Sequence, residues 1–210
     1  VYQLGGLYNQ LNDPPMARAH FVAARRMAPK PSRLAALAEI GVARAALQTG
    51  ELDAAEKSLR VALAESQEQG YTEEETLTEL KLGVLAFLRR DFDASARHRA
   101  RALVLARATG DRHAAVEALN TLGTISLELK DYPAAAERLE AALAEVRGLD
   151  DARAESSVLV NLAQCRFAQG NIAASRDHAQ AALAIAQRRF HQRRGQLVPA
   201  HRRRFADARC

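Results

Sequence analysis

The chain has 210 residues, 48% of them hydrophobic but only 5% aromatic and none tryptophan, so alanine and leucine supply most of the apolar surface. An interior of such small side chains buries little area apiece, at about 25 cal/mol per Å², and needs helices that approach closely; no stretch alternates as a strand would. The net charge of +5 comes from the C-terminal end, where eight arginines from Arg188 onward face one acid for a net +7, leaving residues 1–187 at −2 and excluding a uniformly basic body.

Four segments recur at a spacing of forty residues: Gly50–Leu63 (GELDAAEKSLRVAL), Arg90–Leu103 (RDFDASARHRARAL), Lys130–Leu143 (KDYPAAAERLEAAL) and Gly170–Leu183 (GNIAASRDHAQAAL). A period of this length marks a solenoid, in which each repeat buries its apolar face against its neighbours. The expected repeat domain covers residues 1–187, with a partial repeat at 1–33 and full repeats at 34–75, 76–115, 116–155 and 156–187. Residues 188–210 form a basic helical extension or a disordered tail. Stacked helix pairs make an extended groove, and this points to binding.

Each repeat divides into a helix A and a helix B. In the third full repeat the pattern predicts helix A over Val116–Lys130 and helix B over Pro133–Arg147. Asp131 is placed to cap helix B, with Pro133 in its first turn, and Asp91 and Asn171 hold the equivalent capping position. Gly70 and Gly110 stand where a left-handed residue would end helix B. Small residues recur at one position in helix A (Ala43, Gly83, Gly123, Ala163) and one in helix B (Ala62, Ala102, Ala142, Ala182). Glycine inside a helix costs about 0.5–1 kcal/mol relative to alanine, so these positions predict close helix contact. The last helix B is expected to run through RRFHQRR to Gly195, with a Leu-Val-Pro break before His201–Arg209.

This register resembles the tetratricopeptide repeat, which Leu122, Gly123, Tyr132, Ala135, Leu139 and Ala142 match one by one. Leu4, Gly5, Ala17, Phe21 and Ala24 fall in the same register, and Pro29 stands where that family often closes a repeat. The resemblance implies an all-α fold, a right-handed superhelical solenoid of antiparallel helix pairs. Its forty-residue repeats resemble the longer variant of large bacterial signalling and transcription regulators and of kinesin light chains. Glu39, Glu79 and Arg99 depart from the apolar pattern, so the second full repeat is expected to pack less tightly.

By the same resemblance, one stripe of each helix A forms the inner wall and binds a protein or peptide segment. The candidate groove residues are Arg44, Lys81, Val84, Phe87, Asn120, Thr124, Asn161 and Gln164. An asparagine amide can both donate to and accept from an extended backbone, which singles out Asn120 and Asn161; each could equally bond its own neighbours. The residues of the family's carboxylate clamp are missing.

No phosphate loop, metal spacing or nucleophile motif is present, so neither catalysis nor a cofactor or metal is expected. Cys165 reads as a small core residue, and with Cys210 it makes no disulfide framework, which suggests a reducing, cytoplasmic setting. The apolar stretches fall short of the roughly 18 residues of a membrane span, and no charged leader precedes an apolar core. Because Val1 opens partway into a repeat, the chain is expected to be a piece of a longer protein. Two alternatives stand beside groove binding. Arg193, Arg194, Arg202, Arg203 and Arg204 could contact nucleic-acid phosphates, and uncapped solenoid ends could form a homo-oligomer. Leucine at Gly83 or Gly123 is expected to overpack the helix contact by about 1–3 kcal/mol, read as a lowered melting temperature of Gly123→Leu.

Overall fold

The computed structural model describes residues 1–206, with side chains through residue 189. Among them the regular structure is entirely α-helical. In chain order the helices are α1 (Tyr2–Gln10), α2 (Pro14–Met27), α3 (Arg33–Thr49), α4 (Leu52–Gln69), α5 (Thr72–Leu88), α6 (Phe92–Thr109), α7 (Arg112–Glu128), α8 (Tyr132–Val146), α9 (Ala152–Ala168) and α10 (Ile172–Ala206). Odd-numbered helices take the A role and even-numbered ones the B role. The chain divides into two compact units, Val1–Ile125 and Ser126 onward.

In the first compact unit each helix packs on the next, and the A helices also touch one another: α1 meets α3 and α3 meets α5. Among the described residues no such contact joins α2 to α4 or α4 to α6. The A helices are therefore drawn together and the B helices spread apart, which places the A helices on the inner side of the bend. The interior is alanine-rich, as composition requires. Ala43 and Ala46 of α3, Ala55 and Leu59 of α4, and Leu82 and Leu85 of α5 form one buried cluster. Phe21 supplies the bulk that alanine lacks. Its ring sits where a Cβ on Gly5 or Gly41 would fall, at 2.8 and 2.5 Å, so α1 and α3 close on it only because both positions are glycine. Burying a phenylalanine contributes about 1.5–3 kcal/mol. In the second compact unit Leu139 and Val146 of α8 and Val158 and Leu162 of α9 are fully enclosed.

Helix starts follow side-chain caps. Asp91 accepts from the Ala94 backbone N–H at 2.9 Å, Asp131 from Ala134 at 3.2 Å and Asn171 from Ala174 at 3.1 Å. Asp111 likewise accepts from Ala114 at 3.0 Å, so α7 begins at Arg112, four residues ahead of the start that its apolar pattern predicts. A second correction concerns α10, which runs from Ile172 to Ala206 through Gly195 and Pro199, where a break was expected. Position 190 is phenylalanine, whereas the equivalent Gly70 and Gly110 take left-handed φ of 67° and 71° and end α4 and α6.

The A-to-B turn also uses a left-handed residue in every full repeat: Gly50 (φ 77°), Arg90 (φ 61°), Lys130 (φ 60°) and Gly170 (φ 78°). A side chain in this region costs roughly 1–2 kcal/mol, while glycine there loses more chain entropy on folding. Lys130→Gly is therefore expected to leave the fold intact and raise the melting temperature, the net gain being up to about 1 kcal/mol. A lowered melting temperature would show that the lysine side chain stabilises the turn.

Candidate functional site

The sequence of α5 leaves one face of the helix uncovered. Glu74, Glu75, Thr78, Glu79, Leu82 and Leu85 are buried, while Leu77, Lys81, Val84 and Leu88, spaced four, three and four apart, remain exposed or half-buried. That spacing keeps the four side chains on one stripe of a 3.6-residue helix. On α3 the corresponding stripe carries Arg44 and Gln48. The amide of Asn9 on α1 bridges them: its oxygen accepts from the Arg44 guanidinium and its nitrogen donates to Gln48 Oε1 at 2.7 Å. Burial lowers the Arg44 pKa, and nearby Tyr2 partly opposes that effect.

Lys81 belongs to a three-residue charge cluster. Its ammonium lies 3.7 Å from Glu117 Oε1 on α7, and Arg99 Nη1 of α6 donates to the same oxygen at 3.0 Å. Arg99 is 2% exposed and stands where the neighbouring repeats have Leu59 and Leu139. A Cβ on Gly83 would come within 2.7 Å of Arg99 Nε, so the glycine makes room for the arginine stem that crosses it. Ser95 Oγ completes this contact by donating to the Gly83 carbonyl at 2.8 Å. The second full repeat thus buries an arginine where its neighbours carry leucine. Burial pushes the Glu117 carboxyl up, but Lys81 and Arg99 outweigh it and hold the group below the usual carboxylate range.

Three buried acids are also paired with a group on a neighbouring helix. Glu39 accepts from Arg25 Nη1 at 3.3 Å, Glu75 from Arg101 Nη2 at 2.9 Å, and Glu79 lies 2.7 Å from His98 Nδ1. Each pair joins an A helix to a B helix. The sequence hint was available, since acids at apolar register positions require partners, but the pairing itself depends on the folded geometry.

The remaining candidates separate by location. Val84 lies on the α5 stripe. Phe87 instead turns toward the helix end and meets the Phe92 ring edge-on at 5.5 Å. Asn120 and Thr124 are half-buried on α7, and the Thr124 hydroxyl donates to the Asn120 carbonyl at 3.0 Å. In the second compact unit Asn161 is half-buried on α9, and Gln164 lines an open groove between α9 and α10. The side chains of Arg193, Arg194, Arg202, Arg203 and Arg204 lie outside the described residues. Cys165 is fully buried, and its Sγ donates to the Tyr132 carbonyl at 3.5 Å; burial pushes the thiol pKa up. Among the described residues no group of three or more His, Cys, Asp and Glu could hold a metal ion. No helix there is long and apolar enough to cross a membrane.

No protein-family model matches the sequence, and no curated protein matches it. Solved structures do resemble it. BtubC (BKLC) from P. vanneervenii superposes with a TM-score of 0.76 at 20% identity, over 88% of this chain and 77% of that one. A putative kinesin light chain from Podosopora anserina, with nearly identical TPR-like repeats, gives 0.69 at 13% identity, over 90% and 94% of the two chains. The fold is that of the tetratricopeptide repeats. MamA shares it, with a TM-score of 0.63 at 14% identity over 90% of this chain and 97% of its own. These tetratricopeptide likenesses concern the scaffold, and the side chains of the stripe are this chain's own.

The cluster around Arg99 yields an asymmetric expectation. Glu117→Ala strands a buried guanidinium and is expected to cost about 1–3 kcal/mol in chemical denaturation. Arg99→Leu restores the residue type of the neighbouring repeats and removes a buried Nε that has no acceptor, so it is expected to be neutral or stabilising. Because the folded Glu117 pKa is depressed, its contribution is complete above the unfolded value near 4.5 and is lost as pH falls below that. The stability difference between the native chain and Glu117→Gln should shrink over that acid range.

Proposed function

We propose that the chain is a protein-interaction scaffold that takes a peptide or protein segment along the exposed stripe of its A helices. The observation that carries this reading is α5, whose uncovered stripe carries Glu73, Leu77, Lys81, Val84 and Leu88 on the side where the A helices are drawn together. A stripe that mixes apolar and charged groups suits an extended or helical segment, with apolar side chains giving affinity and charge fixing register. In this reading Arg44, Lys81 and Val84 contribute first, with Phe87 at the helix end and Asn120 and Thr124 beside them on α7. Asn161 and Gln164 take the same role on α9 in the second compact unit. The proposed setting is a bacterial regulatory or signalling protein, and its support is the resemblance of the long repeat to those regulators.

The test is partner capture from the native host with a photoreactive residue at position 84, compared with the same probe at Val104 on the exposed face of α6. Crosslinks from position 84 but not 104, abolished by Leu77→Glu, are the expected outcome. Equal crosslinking at both positions would remove the inner stripe as the binding surface.

A further inference from the structure

In the first compact unit α5 and α6 present Leu80, Ala102, Leu103 and Ala106, and α7 covers them with Ala114, Ala115 and Ala118. Eighty residues on, the same register positions are Val160 on α9 and Ala182, Leu183 and Ala186 on α10. With Phe167 they line a groove of about 550 Å³ that no described residue covers. Leu183 is 57% exposed and Phe167 66%, whereas Leu143, one repeat earlier than Leu183, is only 7% exposed. The cause is local: α10 has no glycine at position 190 to end it and return the chain, so it continues to Ala206. The residues that would stand in the next helix A also depart from the repeat, with Arg202 and Arg203 at the positions of Leu82 and Gly83.

We propose that this groove receives one helix of another protein, a helix whose opening turns carry a small residue, then glutamate, then a second small residue three positions on. The small residues follow from the internal cover, since α7 fits the equivalent surface with alanines at 114, 115 and 118. The glutamate follows from the end of the B helix. On α4 Gln67 donates to Glu75 in the first turns of the covering α5, at 3.3 Å. Gln187 holds the register position of Gln67 on α10, and Arg188 and Arg189 follow it. A covering helix runs antiparallel to its B helix and so begins beside these groups, where its positive N-terminal end needs an acid to face the arginines. A second copy of the chain fits this site poorly. Its terminal helix α1 has no acid in its first turn, nor does α10.

The experiment uses the full chain and stapled helical peptides with the sequence of residues 111–128, in which position 115 is Ala115→Glu or Ala115→Lys. In fluorescence anisotropy the glutamate peptide is expected to bind at one site, at least tenfold more tightly than the lysine peptide, with the gap narrowing as salt rises. Ala186→Arg and Leu183→Gln, both at exposed positions, should each weaken it by tenfold or more while circular dichroism stays unchanged. Equal binding of the two peptides, or binding indifferent to both groove variants, would overturn the proposal. So would sedimentation that finds a dimer dispersed by Ala186→Arg, because that result assigns the groove to a second copy.

Discussion

Close approach of helices across small residues is the constraint on which the rest of this structure depends. Alanine and glycine bring the backbones together, and the space they leave must be filled by a large side chain from next door. At the N-terminal end that side chain is Phe21, set between Gly5 and Gly41. At Gly83 it is Arg99, and the choice of a charged filler has consequences. A buried guanidinium requires a carboxylate, Glu117 provides it from the next A helix, and the same oxygen holds Lys81. A packing solution inside α5 and α6 thereby fixes two charges on the surface where a partner is proposed to lie.

What could be read from the sequence was whatever repeats. The forty-residue register anticipated the caps at Asp91, Asp131 and Asn171, because capping depends on a residue and a backbone three positions away. It also anticipated the left-handed stops at Gly70 and Gly110. That Arg90 and Lys130 share the left-handed conformation of Gly50 and Gly170 came only from the structure, where a turn of fixed length imposes one geometry on whichever residue occupies it. The pairings of Arg99 with Glu117 and of His98 with Glu79 could not be read this way. They join residues eighteen and nineteen apart on different helices, and neither pair recurs in the other repeats. The same limit applied at the C-terminal end, where Gly195 and Pro199 suggested a break and α10 continues.

Of the candidate groove residues, the stripe was readable and the individual contacts were not. The resemblance put Lys81 and Val84 on one stripe of a helix A, and both lie half-buried on α5. It could not say that Arg44 is tied to Asn9 and Gln48, or that Phe87 is engaged with Phe92, because both depend on side chains from a neighbouring helix.

The period separates two kinds of exposed surface that a single sequence would otherwise confuse. Positions on the A-helix stripe are open in successive repeats, as Arg44 and Val84 illustrate, so no element of the fold is missing from them. The surface of Val160, Leu183 and Ala186 differs, because the positions eighty residues earlier are closed by α7. An apolar face that the same architecture covers elsewhere has a cost when left open, for the solvent-exposed area of leucine and phenylalanine is large and nothing in their register offsets it. The stripe is therefore a surface the scaffold presents, whereas the α9 and α10 groove is a surface that no helix among the described residues covers. A partner at the first must compete with water for mixed polar and apolar groups. A partner at the second would complete a packing arrangement already present between α5, α6 and α7, and its sequence is correspondingly more constrained.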